Sequence, residues 1–556
     1  MYLLSSPVAG WGRWPLIRAA CRLLAGMVLG VSAGSVAFAA MPPAAGTAAP
    51  ISAIVISDQA ALRAAPRDSA QQQAQLWQGE MLEVRGERLD YLQVYDHRRE
   101  RGGFVRASQL RRTALAPAEA PELLALLRFL QERPGSEALG IGLAAAYLQA
   151  APAQSLSGPD GVAAFDALGT LADRLARRAS SGAALTRPQE AALSAHLDVA
   201  RYYGVKFASY EREGKMTICY DGEAFRRVLT LSAAGPSGVP LRVGTGFRQA
   251  GGSSQPDEAG AAATVDSALP ARQARAVLAL TRPECVDPNL QPLQRAQVDQ
   301  WRAEVLERVD VAALPGWLRN RVQMRRAGVY ASVAYERVRQ GLLAVDVAQR
   351  SLAELAGVSK SELTDVDQSA YNDTAMRVNA SRWAALPAGA ARAGAKDPSI
   401  VTLPGHPGET CVQLVDAKHD EKSPLARRCT YSIVWANSAS LNREGTALAL
   451  AVQPMEAWRE LWLFRKDSRG GWNISVLPPA TTNPDLGYAE FAGWVPGGKQ
   501  VLVAREARGE GKYKKTFEML NLASLTAERQ AAEAGLLRAF NRWQDAGWKG
   551  GSVSVR

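Results

Sequence analysis

Four cysteines placed behind an export signal set the strongest limit on how this chain can fold. Arg13, Arg18 and Arg22 lead into an uncharged apolar run from Leu23 to Val36. Ala37-Phe38-Ala39 follows, with Ala37 and Ala39 at the two small-residue positions that a signal peptidase reads. The run is shorter than the ~20 apolar residues that span a bilayer. Residues 1–39 therefore read as a cleavable signal peptide, and the mature chain as periplasmic or secreted, with no transmembrane segment after cleavage. Cys21 precedes the apolar run and leaves with it. Cys219, Cys285, Cys411 and Cys429 remain, an even set in an oxidising compartment.

Their surroundings suggest the pairing. Cys219 stands just before a helix-like segment, Glu223–Leu231, capped by Asp221; Cys285 stands just after another, Pro270–Leu280. Packed antiparallel, the two helices bring their outer ends together, which predicts a Cys219–Cys285 bridge. Cys411 and Cys429 flank the turn-like Asp416-Ala417-Lys418-His419-Asp420 between two strand-like runs, which predicts a bridge across a β-hairpin. Neither pair has the short Cys-x-x-Cys spacing of a zinc site.

At 556 residues, 47% hydrophobic and 21% charged, the composition is that of soluble globular domains. Removing the signal takes away three arginines and no acids, and the formal charge falls from +11 to +8. The residual excess favours anionic surfaces such as wall carboxylates, lipid phosphates or acidic proteins. No basic stripe is interleaved with aromatics as a strand-binding groove requires, so nucleic acid is not an expected partner.

The expected organisation is multi-domain α+β. Residues 40–51 form a linker and 52–115 a compact β segment. Residues 116–390 form a helical region, with a Gly/Ser/Pro-rich loop of disordered type over 234–265. Residues 391–408 form a second linker, 409–531 a β domain, and 532–556 a C-terminal helix and tail. In the first β segment, Ala60–Pro66 reads as a strand ending at proline, Gln75–Glu80 turns into Met81–Gly86, and Asp90–Tyr95 and Gly103–Arg106 follow.

That succession resembles a bacterial SH3 (SH3b) domain. Tyr91 stands at the family's middle aromatic, and Phe104 at the tryptophan of its final Gly-Trp-Val. The resemblance implies a small β-barrel and a non-catalytic module directed at peptidoglycan or an envelope protein. Tyr91, Tyr95, Phe104 and Arg106 are then the candidate ligand contacts. Phe104 lacks the indole N–H of the usual tryptophan, and aromatics in half-buried strands also serve simply as core.

In the helical region, Leu123, Leu124, Leu127 and Leu130 mark one apolar face, and Thr186-Arg187-Pro188-Gln189 opens a helix with a capping-box pattern. Trp317, Val322, Val329, Val333 and Val338 mark another face. Its companion arginines, at 319, 321, 325, 326, 337 and 339, make this the most basic element, read as a solvated face or as an anion or membrane-surface contact. No 34-residue repeat is present. Further on, Tyr431–Trp435, Ala447–Val452, Glu460–Phe464 and Gly470–Val476 form a four-strand series. Its order recurs in Phe491–Trp494, Gln500–Ala504 and Thr516–Leu520. The repeat resembles blades of a TolB- or WD-type β-propeller, but two units fall short of the at least four that a propeller typically needs to close.

Enzyme motifs fail on context. Gly30-Val31-Ser32-Ala33-Gly34 matches a nucleophile elbow but lies in the signal. The glycines of Gly140–Ala145 lack a preceding strand, and Lys512, Lys514 and Lys515 lack the leading glycine of a phosphate loop. With the cysteines paired, no thiolate nucleophile remains. His406 and Glu409, joined by His419, offer a zinc-like set on poorly supported loops. The expectation is a non-enzymatic, exported envelope binding or scaffold protein without a cofactor. The alternatives are a periplasmic metal-dependent hydrolase acting near His406, Glu409 and His419, and a structural assembly factor of an envelope machine.

Overall fold

The structure, a computed structural model, describes residues 51–181, 185–212, 214–233, 268–387, 397–481, 484–509 and 511–551. The signal segment, the linker up to residue 50 and the loop over 234–265 lie outside the described residues.

Seven short strands open the fold: β1 (Ser52–Val55), β2 (Ala60–Arg63), β3 (Gln72–Leu76), β4 (Met81–Arg88), β5 (Tyr91–Asp96), β6 (Arg101–Arg106) and β7 (Leu110–Thr113). They pair antiparallel in the order β3-β2-β6-β5-β4-β1-β7. Alternation turns Leu92, Val94 and Val105 inward onto Leu62, Leu76 and Leu82. Gly103 admits β2 closely, since a Cβ there would lie 2.7 Å from the Leu62 side chain. The sequence pattern predicts a barrel, but the sheet remains open: β7 pairs with β1 and never meets β3.

Helices α1 (Ala120–Gln131), α2 (Glu137–Ala150), α3 (Ala153–Ser157), α4 (Pro159–Ser180) and α5 (Arg187–Tyr202) follow. Leu123, Leu127, Ile141, Tyr147, Leu171 and Leu175 form their core, and Ile54 of β1 belongs to it. The β3–β4 turn rests directly on α2. Gly79 has φ +88°, and a Cβ on it would come within 2.2 Å of the Ala138 carbonyl oxygen. Tyr203 donates to the Gly79 carbonyl (2.7 Å), and His196 pairs with Asp58 (2.8 Å). The first sheet is thus built onto the helices. Glu137, fully buried, receives the Gly135 N–H (3.0 Å) and pairs with Arg174 (2.7 Å) and Arg178.

A hairpin, β8 (Phe207–Arg212) and β9 (Lys215–Tyr220), interrupts the stretch that the sequence pattern reads as helical. Gly214, at φ +72°, forms its turn, and Thr217 and Ile218 favour extended backbone. Then come α6 (Glu223–Ala233) and α7 (Leu269–Leu280), which pack together. Cys219 in β9 is joined to Cys285, with Cα atoms 5.7 Å apart. The outer ends of this helix pair do meet there. Helices α8 (Pro292–Glu307), α9 (Gly316–Arg339), α10 (Val345–Ala356) and α11 (Asp365–Ala380) complete the helical part. The face of α9 buries Val322, Val329 and Val333 as its spacing predicts, whereas Trp317 lies 42% exposed.

The second linker contains a strand, β10 (Ser399–Pro404), which pairs with β11 (Thr410–Val415); β11 pairs in turn with β12 (Ala426–Thr430). Cys411 and Cys429 face one another in that register and are disulfide-bonded, Cα atoms 3.9 Å apart. Two four-stranded antiparallel series follow. The first is β13 (Ile433–Leu441), β14 (Ala447–Met455), β15 (Trp458–Lys466) and β16 (Trp472–Leu477). The second is β17 (Leu486–Val495), β18 (Gln500–Gly509), β19 (Lys512–Asn521) and β20 (Ala527–Ala531). A short parallel contact, Trp458 with Gly487 and Arg459 with Tyr488, joins them, and no closed propeller is formed among the described residues. Two short helices end the chain, α12 (Arg538–Trp543) and α13 (Ala546–Gly551), where the sequence reading places one; Phe540 and Trp548 pack on Phe517.

The helical and second β parts share cores. Met376 of α11 lies among Tyr488, Leu502 and Phe517, and Trp435 and Ala451 lie among the side chains of α8 to α10. Between them Glu490 pairs with Arg459 (3.0 Å) and Arg382 (2.6 Å), all three buried, while Arg459 also donates to the Asn379 carbonyl. Removing one partner of such a cluster strands an uncompensated charge. Glu490→Gln should lower the unfolding free energy by about 3–5 kcal/mol, read from urea denaturation.

Acid should act at Glu137 and Glu456. Burial pushes both carboxyls up. For Glu137 the Gly135 N–H, Arg178 and Arg174 outweigh it; for Glu456, Arg377, Ser332 and Arg295 do. Both therefore lie below the ordinary 4.5, so their stabilisation is complete above that pH and lost as pH falls through the folded-state values. The urea midpoint should decline below about pH 4.5, with a shallower decline in Glu137→Gln.

Candidate functional site

The register of β5 and β6 puts all four candidate contacts on one face. Tyr91 lies opposite Arg106, Gln93 opposite Phe104, and Tyr95 opposite Gly102, while Leu92, Val94 and Val105 point into the core. The two ends of this face differ. At one end Tyr91 is buried, and its hydroxyl donates to Asp68 (2.6 Å). Arg106 pairs with Asp68 and with Asp90 (3.1 Å), its guanidinium 5.6 Å from the centroid of the Tyr91 ring. Hydrogen bonds from Arg106 and Tyr91 hold the Asp68 carboxyl below its usual range, and Asp68 in turn raises the Tyr91 phenol. These groups lock the β5–β6 corner.

The other end is open. The Tyr95 ring carries the Arg85 guanidinium 3.9 Å from its centroid and meets His97 edge-on at 4.9 Å. His97 and Arg85 both pair with Glu83, at 2.7 and 3.1 Å. The side chains of His97 and Arg85 are 62% and 46% exposed, so a ligand can reach both. Phe104, half-buried, sits between the two ends. Asp68, Glu83, Arg85 and His97 are absent from the sequence-level set. Only the alternation Glu83-x-Arg85 on the strand before Tyr95 hinted at two of them.

The zinc-like set does not converge. His406 and Glu409 belong to the turn before β11, where Glu409 accepts the His406 N–H (3.0 Å). His419 belongs to the turn after β11 and is held by Asp416 (2.8 Å). Six strand residues separate the turns by roughly 17 Å. Glu409 does approach Cys411 and Cys429, but both sulfurs are committed to their disulfide.

The arginines of α9 are mostly engaged within the fold, although Arg319 and Arg339 lie exposed. Arg326, 8% exposed, donates to the carbonyls of Leu306 (2.8 Å) and Val309 (2.6 Å), closing the C-terminal end of α8. Arg319 does the same for Val311 (3.1 Å) and Leu314 (3.0 Å). Arg321 pairs with Asp367 (2.8 Å) and Arg337 with Asp346 (3.4 Å). No described helix is long and apolar enough to cross a membrane. No family model, curated protein or solved structure matches this chain, so its function is argued from its own residues.

Proposed function

We propose that this chain is an exported binding or scaffold protein of the cell envelope, whose β5–β6 face recognises peptidoglycan or an envelope protein. The observation that carries the reading is the gathering of Tyr95, Arg85, His97 and Glu83 at the open end of that face, beside Phe104. A flat aromatic with charged and hydrogen-bonding neighbours suits sugar faces and short peptides alike. Two disulfides suit an oxidising compartment. In this reading the first sheet is an SH3b-type module, and the two four-stranded series are blade-like units offering a second surface.

A structural assembly factor is the second reading, favoured by one observation: Gly79 and Ile54 fix the first sheet to the helices, as a purely structural piece would be fixed.

The full mature chain should be retained on purified peptidoglycan sacculi. Tyr95→Ala combined with Phe104→Ala should cut retention at least tenfold, about 1.4 kcal/mol, with the melting temperature little changed. If the unaltered chain is not retained, wall recognition is wrong, and cross-linking in cells becomes the test for a protein partner. Export has its own readout. Denatured, unreduced protein from the envelope should titrate no thiol, whereas a retained leader would expose Cys21 as one.

A further inference from the structure

Among α4, α6, α7, α8, α9 and α11, against the β14–β15 turn and β18, lies a groove of about 830 Å³, large enough for a small molecule. Nine arginines line it against five carboxylates, and no lysine does. Such a wall presents planar donor forks, which match phosphate and carboxylate oxygens in pairs.

Eight of the nine are engaged: Arg174 pairs with Glu137 (2.7 Å), Arg177 with Asp173 (2.8 Å), Arg275 with Asp166 (2.8 Å) and Arg295 with Asp299 (3.0 Å). Arg321 pairs with Asp367 (2.8 Å), Arg377 with Glu456 (2.7 Å) and Arg508 with Asp373 (2.7 Å). Arg302 pairs with Asp299 (2.6 Å) and gives two further N–H groups to the Thr281 carbonyl. Arg325 differs. Its Nη1 donates to the Leu278 carbonyl (3.0 Å) and the Thr281 hydroxyl (3.4 Å); its Nε and Nη2 have no hydrogen bond, and no carboxylate forms an ion pair with it, among the described residues. Burial, with the like charges of Arg302, Arg282 and Arg177, works against its protonated form, and only Glu284 offsets them. Trp317, at the lining of the same groove and 42% exposed, stands 5.1 Å from the Arg321 guanidinium. It offers a flat apolar surface beside the charges.

We propose that this groove binds a small multivalent oxyanion, a molecule carrying two or more phosphate or carboxylate groups, with Arg325 as the residue whose free donors meet it. The site lies on different elements from the β5–β6 face and stands whether or not that face binds the wall. The competing account makes Arg325 a structural clamp on the C-terminal end of α7. The two differ in sign. A clamp stabilises the ligand-free protein, whereas a cation held without its counter-ion destabilises it and is relieved only by ligand.

The test uses the mature chain, with pyrophosphate and citrate as probes and sodium chloride at matched ionic strength as the control. Calorimetry should show saturable binding of at least one probe, and that probe should raise the melting temperature more than the salt does. Tighter pyrophosphate marks a phosphorylated ligand, tighter citrate a polycarboxylate. Arg325→Met, which keeps the apolar stem, should weaken binding at least tenfold and leave the ligand-free melting temperature equal or higher. Arg325→Lys, which keeps the charge and loses the fork, should fold and bind more weakly than the unaltered chain. Arg337→Met, at a pair outside the groove, should change neither reading. Absence of saturable binding by either probe overturns the proposal. So does undiminished affinity in both Arg325 variants, or in Arg325→Lys alone if the methionine variant does not fold.

Discussion

The buried meeting of Arg382, Glu490 and Arg459 is the constraint on which the joint between helices and second β part depends. Two guanidinium groups and one carboxylate lie out of water together. Arg459 also reaches the Asn379 carbonyl near the end of α11. Each charge is tolerable only while its neighbours stay in place, so α11, the turn after it, β15 and β17 must assemble as a set. The apolar contacts of Met376 and Trp435 add area to the joint but would accept sliding. Directional ionic contacts oppose it. The described residues, despite the composition of several separable modules, fall into one compact unit.

Legibility in the sequence followed the range of the signal. The disulfides were readable because their flanking patterns are local. Cys219 precedes one helix and Cys285 follows another, both with explicit spacing, and Cys411 and Cys429 bracket a turn. The mixed α and antiparallel β class was readable for the same reason. β10 was hidden by the Pro/Gly-rich residues around it and exists because β11 offers it a partner. The β8–β9 hairpin was hidden in an Ala/Leu/Arg-rich stretch. Sheet closure was not readable at all, because it depends on which edge β7 finds.

The candidate sites divide similarly. Tyr91, Tyr95, Phe104 and Arg106 could be nominated from motif order, and their common face followed from alternation. What alternation could not show is that Asp68, from a distant loop, takes up Tyr91 and Arg106 and leaves Tyr95 as the open residue. The arginines of α9 were legible as a basic cluster but not as carbonyl caps. A cap requires another helix to end within reach, and α8 does so nineteen to twenty residues earlier in the chain. The groove was invisible because six helices, a β turn and β18 contribute to it.

The Cys219–Cys285 bridge has a consequence for covalent continuity. It encloses the whole stretch between α6 and α7 in a loop closed by cysteines 66 positions apart. Any single cut of the backbone inside that loop leaves two polypeptides but one molecule, because the bridge still joins the β9 side of the cut to the α8 side. A proteolytic nick there would show as two bands only after reduction. Helix α7, one wall of the arginine-lined groove, would remain tethered to its neighbours after the nick.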